Sequence, residues 1–376
     1  MHIAIIGAGV SGLLTALELA EQGCKVTLLD QQQAGHAHAA SWAGGGILSA
    51  MYPWRYPQEV NQLARYGKQL YQQWNTKLYP LTGIDFQIHE TGMLIFDEDD
   101  FDIGLHYKEQ YQDPMQHCEH LKRAQLEHVN PHISKQFQQA IYFPHLANIR
   151  NPRLLKSLIT YLKQHPNVEV YENTWIEKFN IHNQHIQSIQ TSSGQYFEAD
   201  QFVIATGAWS NCWSEQLQLS IPVEPVQGQM MLFKTPENWL PTMCMNKVMY
   251  LIPRIDGHVV CGSSMQNIGF DKRPSVQTQQ NIYKACVEMV PELGNFPIVK
   301  QWAGLRPSSP TGIPYIGQMP DLNNLWANFG HYRNGLCMGP ASARLLRQLM
   351  LNQDTVIQDH LVNAHAYSTD RLKQAG

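Results

Sequence analysis

The first thirty residues contain a glycine-rich turn between two apolar segments. Residues 3–6 read Ile-Ala-Ile-Ile, which is typical of a strand buried on both faces. The turn Gly7-x-Gly9-x-x-Gly12 follows at once, then leucines at helical spacing as far as Gly23. A second apolar strand ends at Asp30. This order of elements predicts a dinucleotide-binding β-α-β unit at the start of the chain.

Each position of this motif has a physical role in holding a dinucleotide. Gly7 permits the tight turn, Gly9 lets the backbone approach a pyrophosphate, and Gly12 allows close packing of helix and strand. The helix N-terminus offers N–H groups and a partial positive charge to the phosphates. Asp30 can accept hydrogen bonds from a ribose diol. The motif alone fits FAD and NAD equally.

Size and composition exclude several classes of protein. A chain of 376 residues predicts two packed modules, and its net charge of −4 with dispersed Lys and Arg indicates neither nucleic-acid binding nor an anionic membrane surface. The apolar N-terminus carries Glu18 and glycines and lacks a basic flank, which argues against a signal peptide or a membrane span. Seven cysteines without a CxxC pair predict reduced thiols in the cytoplasm.

The rest of the chain predicts strands in two groups. Residues 168–171 and 201–206 are expected to return to the first sheet, and residues 221–265 to form long antiparallel strands. Strands are predicted at 92–96, 230–233, 248–253, 258–262 and 324–328, helices at 59–75, 154–162 and 340–351, and a solvated turn at 97–100. Without a repeat or a low-complexity linker, the two modules are expected to be interleaved.

Four segments resemble those of a known flavoenzyme family. Residues 202–210 form a buried strand that ends in Ala-Thr-Gly, which resembles the segment lying beneath the glycine turn of flavoproteins. Residues 40–48 resemble the segment beside the flavin in the D-amino acid oxidase family. Residues 304–317 resemble its carboxylate-anchoring strand and turn, and residues 330–343 its closing motif over the isoalloxazine ring. The chain is most similar to the glycine oxidase (ThiO-type) branch.

This resemblance implies the fold and the cofactor. The expected fold class is α/β (α+β overall), with a Rossmann-like FAD-binding domain interleaved with a substrate domain built on a large antiparallel sheet. The FAD-binding domain is expected over 1–80, 146–220 and 302–376, and the substrate domain over 81–145 and 221–301. Relatives that tether FAD carry a cysteine in the region of Leu305 and Arg306, and since none stands here the flavin is expected to be non-covalent.

The resemblance also implies roles for individual residues. Arg306 matches the carboxylate-binding arginine, Tyr250 a tyrosine that hydrogen-bonds the same carboxylate, and Arg333 a second arginine near substrate and flavin, with Met265 lining the pocket. A surface ion pair for Arg306 and core packing for Tyr250 are the alternatives. The residues expected to bind FAD are Gly7, Gly9, Val10, Ser11, Gly12, Asp30, Ser41, Gly44, Gly45, Gly46, Thr206, Gly207, Gly330, Tyr332, Arg333, Asn334, Gly335 and Leu336.

The implied activity is oxidation of glycine or a similar small amino acid, such as sarcosine or D-alanine. Hydride passes from the α-carbon to flavin N5, and oxygen accepts the electrons to give hydrogen peroxide. A neutral amine needs no strong base, so catalysis depends on positioning and on the flavin. A role in thiamine thiazole biosynthesis follows from the resemblance alone. The rival functions are a quinone-linked D-amino acid dehydrogenase, an NAD dehydrogenase and a non-catalytic flavoprotein scaffold, and a homo-oligomer is left open.

Histidine-rich and acidic segments do not predict a metal site. His36-x-His38 and the segment from His117 to His120 lack the further ligands that zinc requires. Residues 97–100 lack the ligand spacing and the glycine of a calcium loop. No metal is therefore expected.

Overall fold

The structure is a computed structural model that describes residues 1–35, 37, 39–110 and 117–374. The strands formed by these residues are β1 (His2–Ile6), β2 (Lys25–Leu29), β3 (His89–Glu90), β4 (Met93–Ile95), β5 (Glu119–Lys122), β6 (Gln139–Phe143), β7 (Ala147–Asn148), β8 (Val168–Tyr171), β9 (Ile176–His182), β10 (His185–Thr191), β11 (Tyr196–Phe197), β12 (Gln201–Ile204), β13 (Glu224–Lys234), β14 (Met243–Met245), β15 (Tyr250–Pro253), β16 (His258–Gly262), β17 (Ile298–Ser308), β18 (Tyr315–Gln318), β19 (Leu325–Phe329), β20 (Val356–Ile357) and β21 (His360–Leu361). The α-helices are α1 (Val10–Ala20), α2 (Ala40–Ala43), α3 (Gln58–Ala64), α4 (Gly67–Thr82), α5 (Phe101–Gln110), α6 (Arg123–Val129), α7 (Asn151–Gln164), α8 (Ser214–Leu217), α9 (Val276–Met289) and α10 (Gly335–Met350).

A six-stranded sheet carries the N-terminal β-α-β unit. Its order is β18-β19-β12-β1-β2-β8, and only the edge strand β18 runs antiparallel to its neighbour. Helices α1, α7 and α10 share one apolar core with one face of this sheet, and the small sheet β11-β10-β9 packs on the other. Because both faces are covered, the central strands β1, β2 and β12 are nearly continuous apolar runs. The predicted return of 168–171 and 201–206 to the first sheet is confirmed.

An eight-stranded sheet forms the second layer. Its order is β17-β13-β16-β15-β14-β4-β6-β5, antiparallel except for the parallel pair β14 and β4. The antiparallel strands predicted within 221–265 are confirmed. Strands of the two large sheets alternate along the chain, so the predicted interleaved α/β (α+β) fold is confirmed as well.

The helix predicted over 59–75 is wrong in its bounds, because the structure divides this segment between α3 and α4. The second helix begins at Gly67, where a Cβ atom would lie 2.3 Å from the carbonyl oxygen of Cys337 in α10. Close approach to α10 therefore requires a glycine at this position.

Helix α10 begins at Gly335, earlier than the predicted Pro340, which lies inside the helix. A proline has no N–H group for the carbonyl four residues earlier, here that of Leu336. The buried hydroxyl of Tyr71 donates to this oxygen at 2.9 Å. A side chain from α4 thus replaces the missing backbone hydrogen bond.

The solvated turn predicted at 97–100 is wrong for Asp97 and Asp100, which are buried, whereas Glu98 and Asp99 are exposed. Asp97 accepts hydrogen bonds from the Tyr52 hydroxyl and from the backbone N–H of Lys247, and Asp100 pairs with Arg55. Burial, and then the bond to Asp97, raises the pKa of Tyr52. Asp97 and Asp100 therefore hold the segment against the rest of the protein instead of facing solvent.

Among the described residues, no helix has the length and apolarity needed to cross a bilayer. Within the same part of the chain, no cluster of three His, Cys, Asp or Glu side chains could hold a metal ion. His117 pairs with Glu119, and His120 hydrogen-bonds Gln139. The motif His36-x-His38 lies outside the described residues.

Candidate functional site

A cavity of about 620 Å³ lies between the carboxyl ends of the parallel strands and one face of the eight-stranded sheet. Ligands of doubly wound sheets bind at this edge, beside the strand where the chain order reverses, which here is β1. The predicted residues that line the cavity are Gly7, Gly9, Val10, Ser11, Asp30, Ser41, Gly44, Gly45, Gly46, Thr206, Gly207, Tyr250, Arg306, Tyr332, Arg333, Asn334, Gly335 and Leu336.

The glycine turn has the geometry that the sequence predicts. Gly7 has a φ of 103°, and a Cβ atom there would lie 2.5 Å from the carbonyl oxygen of Ala205. A Cβ atom on Gly12 would lie 1.8 Å from the carbonyl oxygen of Gly7, so Gly12 serves packing and is not among the lining residues. Gly9 is the N-cap of α1 and lines the cavity, and a Cβ atom there would lie 3.5 Å from Ser41 Oγ. The turn therefore exposes backbone to a ligand, as a pyrophosphate requires.

The carboxylate of Asp30 is fixed in the cavity by the glycine turn itself. One of its oxygens accepts the backbone N–H of Ala8 at 2.6 Å, and the other accepts that of Gln32 at 2.8 Å. These two backbone N–H groups therefore hold the carboxylate in the cavity wall, at the position that the sequence assigns to a ribose diol.

Two buried side chains hold residues 40–46 against the cavity. The Asn151 amide donates to the carbonyl oxygens of Ser41 and Gly44, at 2.8 Å each. The Arg254 guanidinium donates to the carbonyl oxygen of Gly45 at 2.8 Å, and burial lowers its pKa to about 9. A Cβ atom on Gly45 would lie 2.6 Å from Ile252 Cδ1, so this segment packs directly on β15. Sequence reasoning missed Asn151 and Arg254, because their partners are backbone atoms distant in the chain.

The segment from Gly330 to Leu336 closes the far end of the cavity. Tyr332 has a φ of 48°, and its N–H donates to the Pro307 carbonyl oxygen at 2.8 Å. The Nε atom of Arg333 is a buried donor with no hydrogen-bond partner among the described residues. Buried donors normally have partners, so this one fits a bound group with acceptor atoms, such as a flavin ring. Gly330 lies behind the cavity wall, where its φ is 81°.

Arg306 lies on β17 with its guanidinium flat against the backbone of Gly228. A Cβ atom on Gly228 would lie 2.2 Å from Arg306 Nη2. The guanidinium donates to the carbonyl oxygen of Ser264 at 3.1 Å and to the hydroxyl of Ser263. Among the described residues it has no ion-pair partner within 4.0 Å. Burial lowers its pKa, Tyr250 opposes this effect, and the positive charge of Arg333 adds to it.

The three other residues expected at the substrate lie at different depths. Tyr250 is buried on β15, with its hydroxyl donating to Met230 Sδ at 3.5 Å. Arg333 places Nη2 at 3.9 Å from Met51 Sδ. Met265 is 57% exposed and is not among the lining residues, although its sulfur accepts from the Tyr332 hydroxyl at 3.6 Å. The structure therefore brings Tyr250, Arg306 and Arg333 together and leaves Met265 at the rim.

His331 is a further cavity-lining residue that sequence reasoning missed. Its Nε2 atom lies 3.1 Å from the Ser342 hydroxyl, and burial lowers its pKa to about 4. The imidazole is therefore neutral at physiological pH. The sequence signal that could have identified His331 is its position inside the segment 330–336, which resembles the closing motif over the isoalloxazine ring.

A doubly wound sheet with this glycine turn, closed over by a second sheet that presents Arg306 to the cavity, defines a dinucleotide-binding enzyme. The chain belongs to the FAD dependent oxidoreductase family (DAO), whose sequence profile matches residues 2–349. Its cofactor is accordingly FAD, and the class of enzyme expected from the sequence is confirmed.

Individual relatives cover nearly the whole chain. The glycine oxidase of Pseudomonas aeruginosa is 41% identical over 359 residues, which are 95% of this chain and 96% of that protein. The bifunctional protein ThiO/ThiG of Trichormus variabilis is 28% identical over 97% of this chain and 54% of its own length. The crystal structure of glycine oxidase from Geobacillus kaustophilus has a TM-score of 0.89 and 25% identity, covering 98% of this chain and 97% of that one.

Proposed function

We propose that the protein is an amino acid oxidase acting on glycine or a similarly small amino acid, such as sarcosine or D-alanine. The observation that carries the proposal is the position of Arg306 and Tyr250 on the cavity wall that faces the glycine segment 44–46. The glycine oxidase of Pseudomonas aeruginosa, which is similar over 95% of the chain, supports the same activity.

Arg306 is proposed to anchor the substrate carboxylate. A guanidinium can donate two parallel hydrogen bonds to a carboxylate, which fixes orientation as well as position. Its contacts with Ser263, Ser264 and the Gly228 backbone hold its plane before substrate arrives. Tyr250 is proposed to donate a further hydrogen bond to the same carboxylate, and Arg333 to lie near both substrate and cofactor.

FAD is proposed to bind along the cavity without a covalent link. The turn Gly7–Gly12 would hold its pyrophosphate, Asp30 its ribose, and residues 44–46 and 330–336 its ring system, with Ser41, Thr206 and Gly207 contributing as expected from the sequence. When bound, FAD would supply the oxidising chemistry, which is acceptance of the hydride of the α-carbon at N5 and transfer of both electrons to oxygen to give hydrogen peroxide. The residues of this chain orient the neutral amine and exclude water. The imine released is hydrolysed to the 2-oxo acid and ammonia.

We further propose the domain division expected from the sequence. Strands of the six-stranded sheet come from 2–29, 168–204 and 315–329, and those of the eight-stranded sheet come from 93–143 and 224–308. These spans support an FAD-binding domain over 1–80, 146–220 and 302–376 and a substrate domain over 81–145 and 221–301. The boundary at 302 falls within β17, which pairs with β13 on both sides of it.

A contribution to thiamine thiazole biosynthesis is the pathway role we propose. The bifunctional protein ThiO/ThiG of Trichormus variabilis aligns with 97% of this chain over part of its own length.

Anaerobic reduction tests the proposed activity. The yellow holoprotein is mixed in turn with glycine, sarcosine and D-alanine while flavin absorbance is followed, and air is then admitted. We expect bleaching by at least one of them and rapid return of colour with stoichiometric peroxide. Slow return of colour in air would favour a quinone-linked dehydrogenase, and no bleaching by any would contradict the proposal.

Substitution of the anchor tests the proposed role of Arg306. Arg306→Ala is expected to lower kcat/KM on the order of 100-fold, mainly through KM, because two charge-assisted hydrogen bonds are lost. Arg306→Lys should recover only part of the loss, since an ammonium cannot make the paired bonds. The flavin spectrum and FAD content serve as controls. Loss of flavin with unchanged kinetics in the residual holoenzyme would rule out the assignment.

A further inference from the structure

The sheet face that covers the cavity carries glycine where side chains would otherwise fill the space. Gly228 on β13 lies opposite Gly304 on β17, and Gly262 ends β16. A Cβ atom on Gly304 would lie 2.5 Å from Ala43 Cβ, and one on Gly228 would enter the Arg306 guanidinium. Each of these glycines therefore makes room for one particular neighbour.

Gly262 makes room for the side chain of Met230. The two residues are cross-strand partners, and a Cβ atom on Gly262 would lie 2.4 Å from Met230 Sδ and 2.9 Å from its Cε. Tyr250 is the partner of Gly262 on the other side, and its hydroxyl donates to Met230 Sδ at 3.5 Å. The thioether thus lies across Gly262 and ends at the Tyr250 hydroxyl.

Met230 also stands next to the proposed carboxylate anchor. It follows Gly228 by two positions on β13, so both point to the same face of the sheet, about 7 Å apart along the strand. Gly228 lies under the Arg306 guanidinium. Met230 lines the cavity and is 2% exposed. Met230 therefore lines the cavity beside both groups proposed to hold the carboxylate, because its strand neighbour Gly228 lies under Arg306 and its own sulfur accepts from the Tyr250 hydroxyl.

We propose that Met230 sets the size of the substrate side chain that the enzyme accepts. This inference rests on the proposed function. A carboxylate held by Arg306 and Tyr250 places the α-carbon one bond away, in front of Met230. Substituents on that carbon then compete for space with the thioether. The Met230 side chain excludes groups larger than the methyl of D-alanine, whereas glycine needs no displacement.

Steady-state kinetics with a series of side chains test the inference. Wild type, Met230→Ala and Met230→Leu are assayed as holoenzymes with glycine, D-alanine and D-2-aminobutyrate. Met230→Ala removes Cγ, Sδ and Cε, and we expect it to raise the kcat/KM ratio of D-2-aminobutyrate to glycine at least about 10-fold. Met230→Leu conserves volume without the sulfur acceptor and should keep the ratio within about threefold of wild type.

Met231 provides a matched control on the same strand. It points to the opposite face, into the core beneath α9. Met231→Ala should lower stability, because it opens a cavity in that core, and leave the substrate ratio unchanged. An equal change of ratio in Met231→Ala would overturn the inference, since general loosening of the sheet would then explain it.

A binding measurement separates this inference from the proposed function. Acetate and butyrate are titrated against each holoenzyme, and dissociation constants come from the perturbed flavin absorbance, without turnover. We expect the ratio of the acetate dissociation constant to the butyrate dissociation constant to be at least about 10-fold higher in Met230→Ala than in wild type. Unchanged kinetic and binding ratios in Met230→Ala would overturn the size role. Improved butyrate binding in a protein that no small amino acid reduces would instead refute the proposed function alone.

Discussion

At the scale of single residues, the side chains that build the cavity depend on neighbours far away in the chain. Arg306, Tyr250 and Arg333 were selected because their motifs resemble those of a known family, and the structure brings them to one cavity. Gly228 carried no such signal. Its role follows from the register of β13 against β17, which places Arg306 over its backbone. Register is set by long-range pairing, so local sequence patterns do not reveal it.

His331 makes the stability of the protein depend on pH. Burial lowers its pKa to about 4 in the folded state, against 6.5 for an unperturbed histidine. Between these values the unfolded chain binds a proton that the folded protein does not. The contribution of His331 to the free energy of unfolding is therefore complete above pH 6.5. As pH drops from 6.5 towards 4, the free energy of unfolding is expected to fall by up to about 1.4 kcal/mol per pH unit.

Urea unfolding of the holoprotein at pH 7, 6 and 5 measures this effect in wild type and in His331→Gln. The variant can keep a hydrogen bond to Ser342 and cannot titrate. Burial also lowers the pKa of His2 and His89, but both proteins share these residues. The difference between the two slopes therefore reports His331, and parallel slopes would contradict its buried, neutral state.

At the scale of elements, local sequence patterns predicted the type and order of helices and strands better than the residues at which they begin and end. Apolar runs predicted β1, β2 and β12, because strands buried on both faces are nearly continuous in hydrophobicity. The long strand β17 was predicted only where it resembles the carboxylate-anchoring segment, since its first three residues, 298–300, are exposed. The break before Gly67 and the early start of α10 both arise from contacts between α4 and α10. These contacts join residues far apart in the chain, so the local sequence of either helix does not predict them.

The contact between Tyr71 and α10 predicts a measurable coupling. Tyr71→Phe leaves the buried Leu336 carbonyl oxygen without a donor, and we expect a loss of about 1–3 kcal/mol in the free energy of unfolding. Pro340→Ala restores an N–H group at the position that the helix would use. In that background Tyr71→Phe should cost at least about 1 kcal/mol less.

Chemical denaturation of the two single variants and the double variant completes the cycle. Tyr367 provides a matched control, because it is also buried and its hydroxyl donates to the Glu59 carbonyl oxygen at 2.9 Å. Tyr367→Phe should be equally destabilising with and without Pro340→Ala. Additive effects of Tyr71→Phe and Pro340→Ala would show that the hydroxyl does not compensate for the proline.

At the scale of the whole molecule, the cavity joins the two sheets. Its wall combines the carboxyl ends of β1 and β2 with side chains of β13, β15 and β17. A ligand that fills it contacts both layers only in the folded state. FAD is therefore expected to stabilise the entire fold, by about 2.7 kcal/mol at a free concentration 100 times its dissociation constant.

Thermal unfolding of the apoprotein over a range of FAD concentrations tests this expectation. We expect one transition whose midpoint rises with the logarithm of FAD concentration, because both sheets lose the ligand together. Asp30→Ala should move the rise to higher FAD concentrations, since the carboxylate at the proposed ribose site is lost. Asp321→Ala, which removes a surface pair with Lys373, should follow the wild-type dependence on FAD. A midpoint that does not respond to FAD, or two transitions of which only one responds, would show that the cofactor does not link the two sheets.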